Sequence, residues 1–143
     1  MSNRPTTRTI SEALDLAADA VLARGWTCGG GWYPDLTETT PVCAEGAIRL
    51  ASTQSGRIDY ELMRASIAAV SAHLELKVGT HPQYVFSWND SLSYTPSDVD
   101  PQTRVVEVLR ATAVIEQARE AARESTARTE DAARRVGIEV AGL

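Results

Sequence analysis

Apolar residues recur along this chain mainly at helical spacing, and that pattern divides it into segments. Ile10, Leu14, Ala17 and Val21 share one face of a first helix. Thr9, followed three residues later by Glu12, forms a capping-box pattern at its start, and Gly25 is placed to end it. "TETTPVCAEGAIRLAS" reads as a second helix capped by Thr40, with Pro41 in the first helical position and Cys43, Ala47, Ile48 and Ala51 as its buried stripe. Gly46 lowers the helix propensity there by about 1 kcal/mol relative to alanine. "QSGRID" is a turn leading to Asp59, which caps a third helix with Met63, Ile67, Val70 and Leu74 along a narrow apolar seam.

Gly79 and Pro82 then interrupt the pattern. "QYVFSW" is rich in strand-forming residues and predicts a short extended segment, with "LELKV" as the one available hairpin partner. "NDSLSYTPSDVDPQT" reads as loop, and Asp100-Pro101 opens a last helix carrying Val105, Val106, Leu109 and Ala113. From residue 116 onward the composition shifts to alanine, arginine and glutamate. Acid-first pairs Glu124–Arg128, Glu130–Arg134 and Asp131–Arg135 stand four residues apart, a spacing that favours helix. The expected architecture is mainly α: a small domain of about four helices over residues 9–115, with at most a short hairpin or extended segment. A loose tail (1–8) precedes it, and an Ala/Arg/Glu-rich helix and tail (116–143) extends the last helix.

The length of 143 residues fits one domain with a modest core. A net charge of −5 argues against a general nucleic-acid or anionic-membrane binder, because both require clustered positive charge. Lys77 is the single lysine among fourteen basic residues, a bias typical of a GC-rich genome. The start carries no apolar signal core and no run of 18 apolar residues occurs, so the expected compartment is the cytoplasm, or the host cytoplasm if a phage encodes the chain. In that compartment Cys28 and Cys43 are expected as free thiols.

Three stretches could carry chemistry. "GWTCGGGWY" lacks the lysine and hydroxyl of a phosphate loop and follows a helix, so its glycines read first as backbone freedom between two packed tryptophans. The competing reading is a peptide groove walled by Trp26, Trp32 and Tyr33, with Asp90 beside it. Fourteen residues separate the cysteines and seven separate His73 from His81, neither of which is a zinc-site spacing, and no metal or cofactor is expected. Cys43 with His73 or His81 and Asp90 is the best nucleophilic set, although a small buried core residue is the plainer identity for Cys43. In "SWND", Trp88 reads as a buried anchor, and Asn89 and Asp90 as turn residues bonding nearby backbone.

The order "RGW", "VCAEGAIRLA", "FSWND", "VVEVLRATA" resembles a small family of uncharacterised proteins from actinobacteria and their phages, marked by a Cys-x-x-Gly-Ala helix and a Trp-Asn-Asp turn. By matching position, the resemblance marks Trp26, Cys43, Gly46, Ala47, Trp88, Asn89 and Asp90. It implies a phage or prophage accessory protein and no particular activity. The expected function is a non-catalytic interaction protein that binds a host or phage protein. The alternatives are a cysteine-dependent hydrolase or transferase using Cys43, and a homo-oligomer assembled through residues 116–135.

Overall fold

A computed structural model describes residues 8–29, 34, 39–76 and 84–137. Among the described residues, five helices and one small hairpin follow in order: α1 (Ile10–Arg24), α2 (Ala44–Ala51), β1 (Thr53–Gln54), β2 (Arg57–Ile58), α3 (Tyr60–His73), α4 (Val85–Ser91) and α5 (Pro101–Arg135). The fold is mainly α, as the apolar pattern predicts. Trp32, Tyr33, His81, and most of the segment between α3 and α4 lie outside the described residues.

α1 begins with the predicted capping box. The Thr9 hydroxyl accepts the Glu12 N–H, and the Glu12 carboxylate accepts the Thr9 N–H at 3.1 Å, which holds the Glu12 pKa below its ordinary value. The helix ends at Gly25, whose φ of 89° is a conformation that glycine adopts without a Cβ penalty. α1 packs most extensively on α5 and next on α2. Alanines at 13, 17 and 18, all fully buried, allow that close approach, and Leu14 and Val21 fill the space between the helices.

α1 and α5 run antiparallel, and polar contacts fix their register. Arg110 on α5 reaches Asp15 at 3.2 Å and Asp19 at 2.7 Å on α1. One helical length away, the Glu120 carboxylate accepts both the backbone N–H of Ser11, at 3.1 Å, and its hydroxyl, at 2.6 Å. Ser11 lies in the first turn of α1, so Glu120 satisfies an otherwise orphan helix-end donor and places negative charge at the positive end of the helix dipole. Glu116, one turn earlier, is buried and paired with Arg119 at 3.0 Å. α5 therefore keeps engaging α1 to residue 120, and its side chains are exposed from 121 to 132.

Elsewhere the structure revises local expectations. α2 starts at Ala44 rather than after Thr40. Cys43 is its N-cap, with Sγ accepting the Gly46 N–H at 3.3 Å, while Pro41 stays outside the helix. At its other end Arg8 donates to the carbonyls of Ala51 and Thr53, at 2.7 and 3.0 Å. The hairpin lies at 53–58 and not near "QYVFSW". Ser55 and Gly56 both have positive φ, as a two-residue type I′ turn demands, and Thr53 pairs with Ile58. Asp59 caps α3 as expected, accepting the Leu62 N–H at 3.0 Å. Its deepest face is Leu62, Ser66 and Val70, with Met63, Ile67 and Leu74 only half-buried beside it. Asp100 caps α5 through the Thr103 N–H at 2.9 Å, with Pro101 in the first turn. Of the three acid-first pairs on α5, Asp131–Arg135 forms an ion pair, at 2.9 Å.

The Glu120–Ser11 contact gives a direct expectation. Glu120→Ala removes a charged acceptor from two part-buried donors and should lower unfolding free energy by about 1–2 kcal/mol. Arg123→Ala, one turn on and exposed, should stay within about 0.5 kcal/mol of the parent. Denaturant unfolding of the two variants checks this, and equal stabilities would contradict it.

Candidate functional site

Four of the sequence-marked residues (Trp26, Cys43, Asn89 and Asp90) converge where α1, α2 and α4 meet. The chain leaving α1 is first fixed by its backbone. Val42 donates to the Gly25 carbonyl and Thr27 donates to the Val42 carbonyl, each at 3.0 Å, forming a parallel bridge between Trp26 and Val42. The Trp26 N–H donates to Gln102 Oε1 at 3.1 Å, which ties the same strip to α5.

Asn89, fully buried on α4, occupies the centre. Its Oδ1 accepts the indole N–H of Trp26 at 2.8 Å and the backbone N–H of Ala44 at 3.0 Å. Its Nδ2 donates to the Thr27 carbonyl at 3.1 Å and to Asp90 Oδ1 at 3.3 Å. A primary amide offers two donors and two acceptor lone pairs, and here all four are used. Because two N–H groups point at one side of the amide, that side has to be the oxygen, so chemistry fixes the orientation. Asp90 Oδ1 also accepts the Gly29 N–H at 3.0 Å and so holds the start of the glycine segment.

Ala44 is the first residue of α2, so Asn89 on α4 supplies a cap for α2. The reverse also holds. Tyr84, the N-cap of α4, makes no side-chain cap bond, and Glu45 on α2 accepts the backbone N–H of Phe86 in the first turn of α4. Half-burial of Glu45 pushes its pKa up, and the Phe86 bond partly offsets that. The two helices thus finish one another's N-termini. The Trp88 ring is buried beneath them, while the rings of Tyr84 and Phe86 stack 5.4 Å apart. Trp88, Asn89 and Asp90 are helical here and not a turn, because this mutual capping supports seven residues of helix that would be unstable alone.

The Cys43 thiol is buried within this junction. Desolvation pushes its pKa up, the Glu45 and Asp90 charges push the same way, and the Gly46 and Glu45 N–H groups act against them. A reactive cysteine shows the opposite trend, because the thiolate is the nucleophile. Cys28 is exposed and unpaired, and His73 sits exposed in the last turn of α3. Among the described residues, no three His, Cys, Asp or Glu side chains are grouped so as to hold a metal. The sequence pattern missed Glu45 and Gln102. An acid in a helix's first turn is a usable hint for Glu45, whereas nothing local marks Gln102.

Fold and junction together define a small, mainly α domain organised around a buried amide that links three helices. The chain belongs to a family of unknown function (DUF6197), which it matches over residues 5–114. No curated protein and no solved structure matches it. Every junction residue lies within the matched span, and Glu116 and Glu120 fall just beyond it.

Asn89→Leu keeps the volume but leaves the part-buried Trp26 indole N–H and the buried Ala44 N–H without an acceptor. At about 1–3 kcal/mol per orphaned group, the variant should lose on the order of 3–4 kcal/mol. Asp90→Ala, which releases the more exposed Gly29 bond, should lose about 1 kcal/mol. Guanidinium unfolding followed by tryptophan fluorescence measures both, and a loss below about 1 kcal/mol for Asn89→Leu would contradict the assignment.

Proposed function

We propose that this is a non-catalytic accessory protein that acts by binding another protein, encoded by a high-GC actinobacterium or one of its phages and working in that cell's cytoplasm. The observation that carries this reading is the saturation of the junction. Asn89 makes all four of its bonds within the protein, Asp90 is engaged by Asn89 and Gly29, and Cys43 is buried with a raised pKa. The polar groups best suited to act on a substrate are taken up in holding helices together.

The surface proposed to meet the partner is the rim above the junction. Cys28 and Gly29 are exposed there, Trp26 and Asp90 are half-buried, and Tyr84 presents an exposed ring on the same α4 helix as Asp90. Trp32 and Tyr33 continue this segment in sequence, and aromatic residues are those that anchor protein interfaces. The arginine-over-lysine bias supports the high-GC origin, and among the described residues no helix is long and apolar enough to cross a membrane. The alternative hydrolase needs Cys43 as a thiolate beside His73 or His81 and Asp90, and the burial of the sulfur weighs against it.

Alkylation of the native protein near neutral pH should modify Cys28 quickly and Cys43 only on unfolding. Labelling of Cys43 as fast as Cys28 would favour the enzyme instead. Affinity capture from the native host should retain a protein that a folded Tyr84→Ala variant loses, and identical captured sets would contradict the rim as the contact surface.

A further inference from the structure

α5 is 35 residues long, about 52 Å at 1.5 Å per residue, and α1 accompanies it only as far as Glu120. Beyond that point the stripe that faced the core turns charged, with Arg123, Glu130 and Arg134 along it. An adjacent stripe stays uncharged. Starting at Ile115, steps of three and four residues alternate to Val136, the 3.5-residue period that keeps one helix face against a partner helix. Its two ends are large apolar side chains left in water: Ile115 is 38 % exposed and Val136 is 71 % exposed.

We infer that this face of α5 pairs with the same face of a second copy of the chain, antiparallel, about a two-fold axis at Ser125. That register sets Ala118 opposite Ala132 of the second copy and Ser125 opposite itself, and brings Ile115 near Val136 and Ala122 near Thr129, each within one residue of exact opposition. Large residues therefore cover the ends and small ones let the helices approach in the middle. The inference does not depend on the partner-binding reading above.

Charge complementarity selects both occupant and direction. Arg128 flanks the face and would lie against Ala121 of the second copy, one turn from its Glu124. Arg119, which also pairs with Glu116 of its own chain, would lie against Ala133, one turn from Glu130. Glu124, Arg128 and Glu130 form no ion pair within the chain among the described residues, although Glu124 and Arg128 stand four apart on one helix. Their charges are thus available where a second copy would present the opposite sign. Residues 119–135 carry five arginines against four acids, a net +1, so the rest of the chain carries −5 − 1 = −6. A parallel pair would set two such acidic bodies side by side, whereas the antiparallel pair holds them at opposite ends. Three heptads of mostly small residues bury less than the roughly 1,200–2,000 Å² of a stable interface, so the dimer is weak and concentration-dependent.

Sedimentation equilibrium of the full chain should show a mass rising toward the dimer with concentration. Ala122→Glu, at a position exposed in the single chain, should remain monomeric with unchanged helix content. Substitution is preferable to truncation, which would also remove Glu116 and Glu120 from the α1 interface. In a Cys28→Ser background, Ala118→Cys and Ala132→Cys should form a disulfide when the two variants are mixed and not when either is alone. A monomer at every concentration, a dimer indifferent to Ala122→Glu, or self-cross-linking of each single variant would each overturn the inference.

Discussion

A single buried amide constrains most of this domain. Asn89 can satisfy its four hydrogen-bonding positions only if the Trp26 indole, the Ala44 N–H, the Thr27 carbonyl and the Asp90 carboxylate all stand where they do. Those four groups belong to the exit of α1, the start of α2, the strip between them, and α4. A domain of this size is stable by only about 5–15 kcal/mol, and each orphaned buried group costs about 1–3 kcal/mol. Losing the amide would therefore remove a large fraction of the total. The hydrophobic core supplies more free energy, but it does not by itself say which way α4 should face.

The same device recurs at lower intensity. Glu120 on α5 completes the first turn of α1, Glu45 on α2 completes α4, Arg8 completes the end of α2, and Gln102 on α5 holds the Trp26 N–H. In each case a side chain from one element satisfies backbone that another element leaves open. Helix ends finished in this way cannot form independently, so the short helices α2 and α4 depend on the tertiary structure for their existence.

Local rules made much of the fold legible in the sequence. Thr9 with Glu12, Gly25, Asp59, and Asp100-Pro101 each act within a few residues of themselves, and each sits where its capping chemistry implies. α4 was not legible in the same way. Val85, Phe86 and Trp88 have strand-like propensities, and what makes them helical is Glu45, forty residues away, together with the burial of Trp88 and Asn89. Cys43 displaced Thr40 as a cap for a related reason, since the bridge between Trp26 and Val42 fixes the chain just before Cys43. The Ser55-Gly56 hairpin could have been found from its turn dipeptide. The residues of the junction were visible as a set, but the bonds that join them span up to sixty-three positions and no local pattern reports such bonds.

Native-state hydrogen exchange tests the central role of Asn89 most directly. The Trp26 indole N–H and the Ala44 amide should exchange only through global unfolding, with opening free energies equal to those of buried amides in α1 such as that of Val21. Exchange of either site several kcal/mol below that limit, while Val21 remains protected, would show that α4 detaches on its own and that the amide does not hold the domain together.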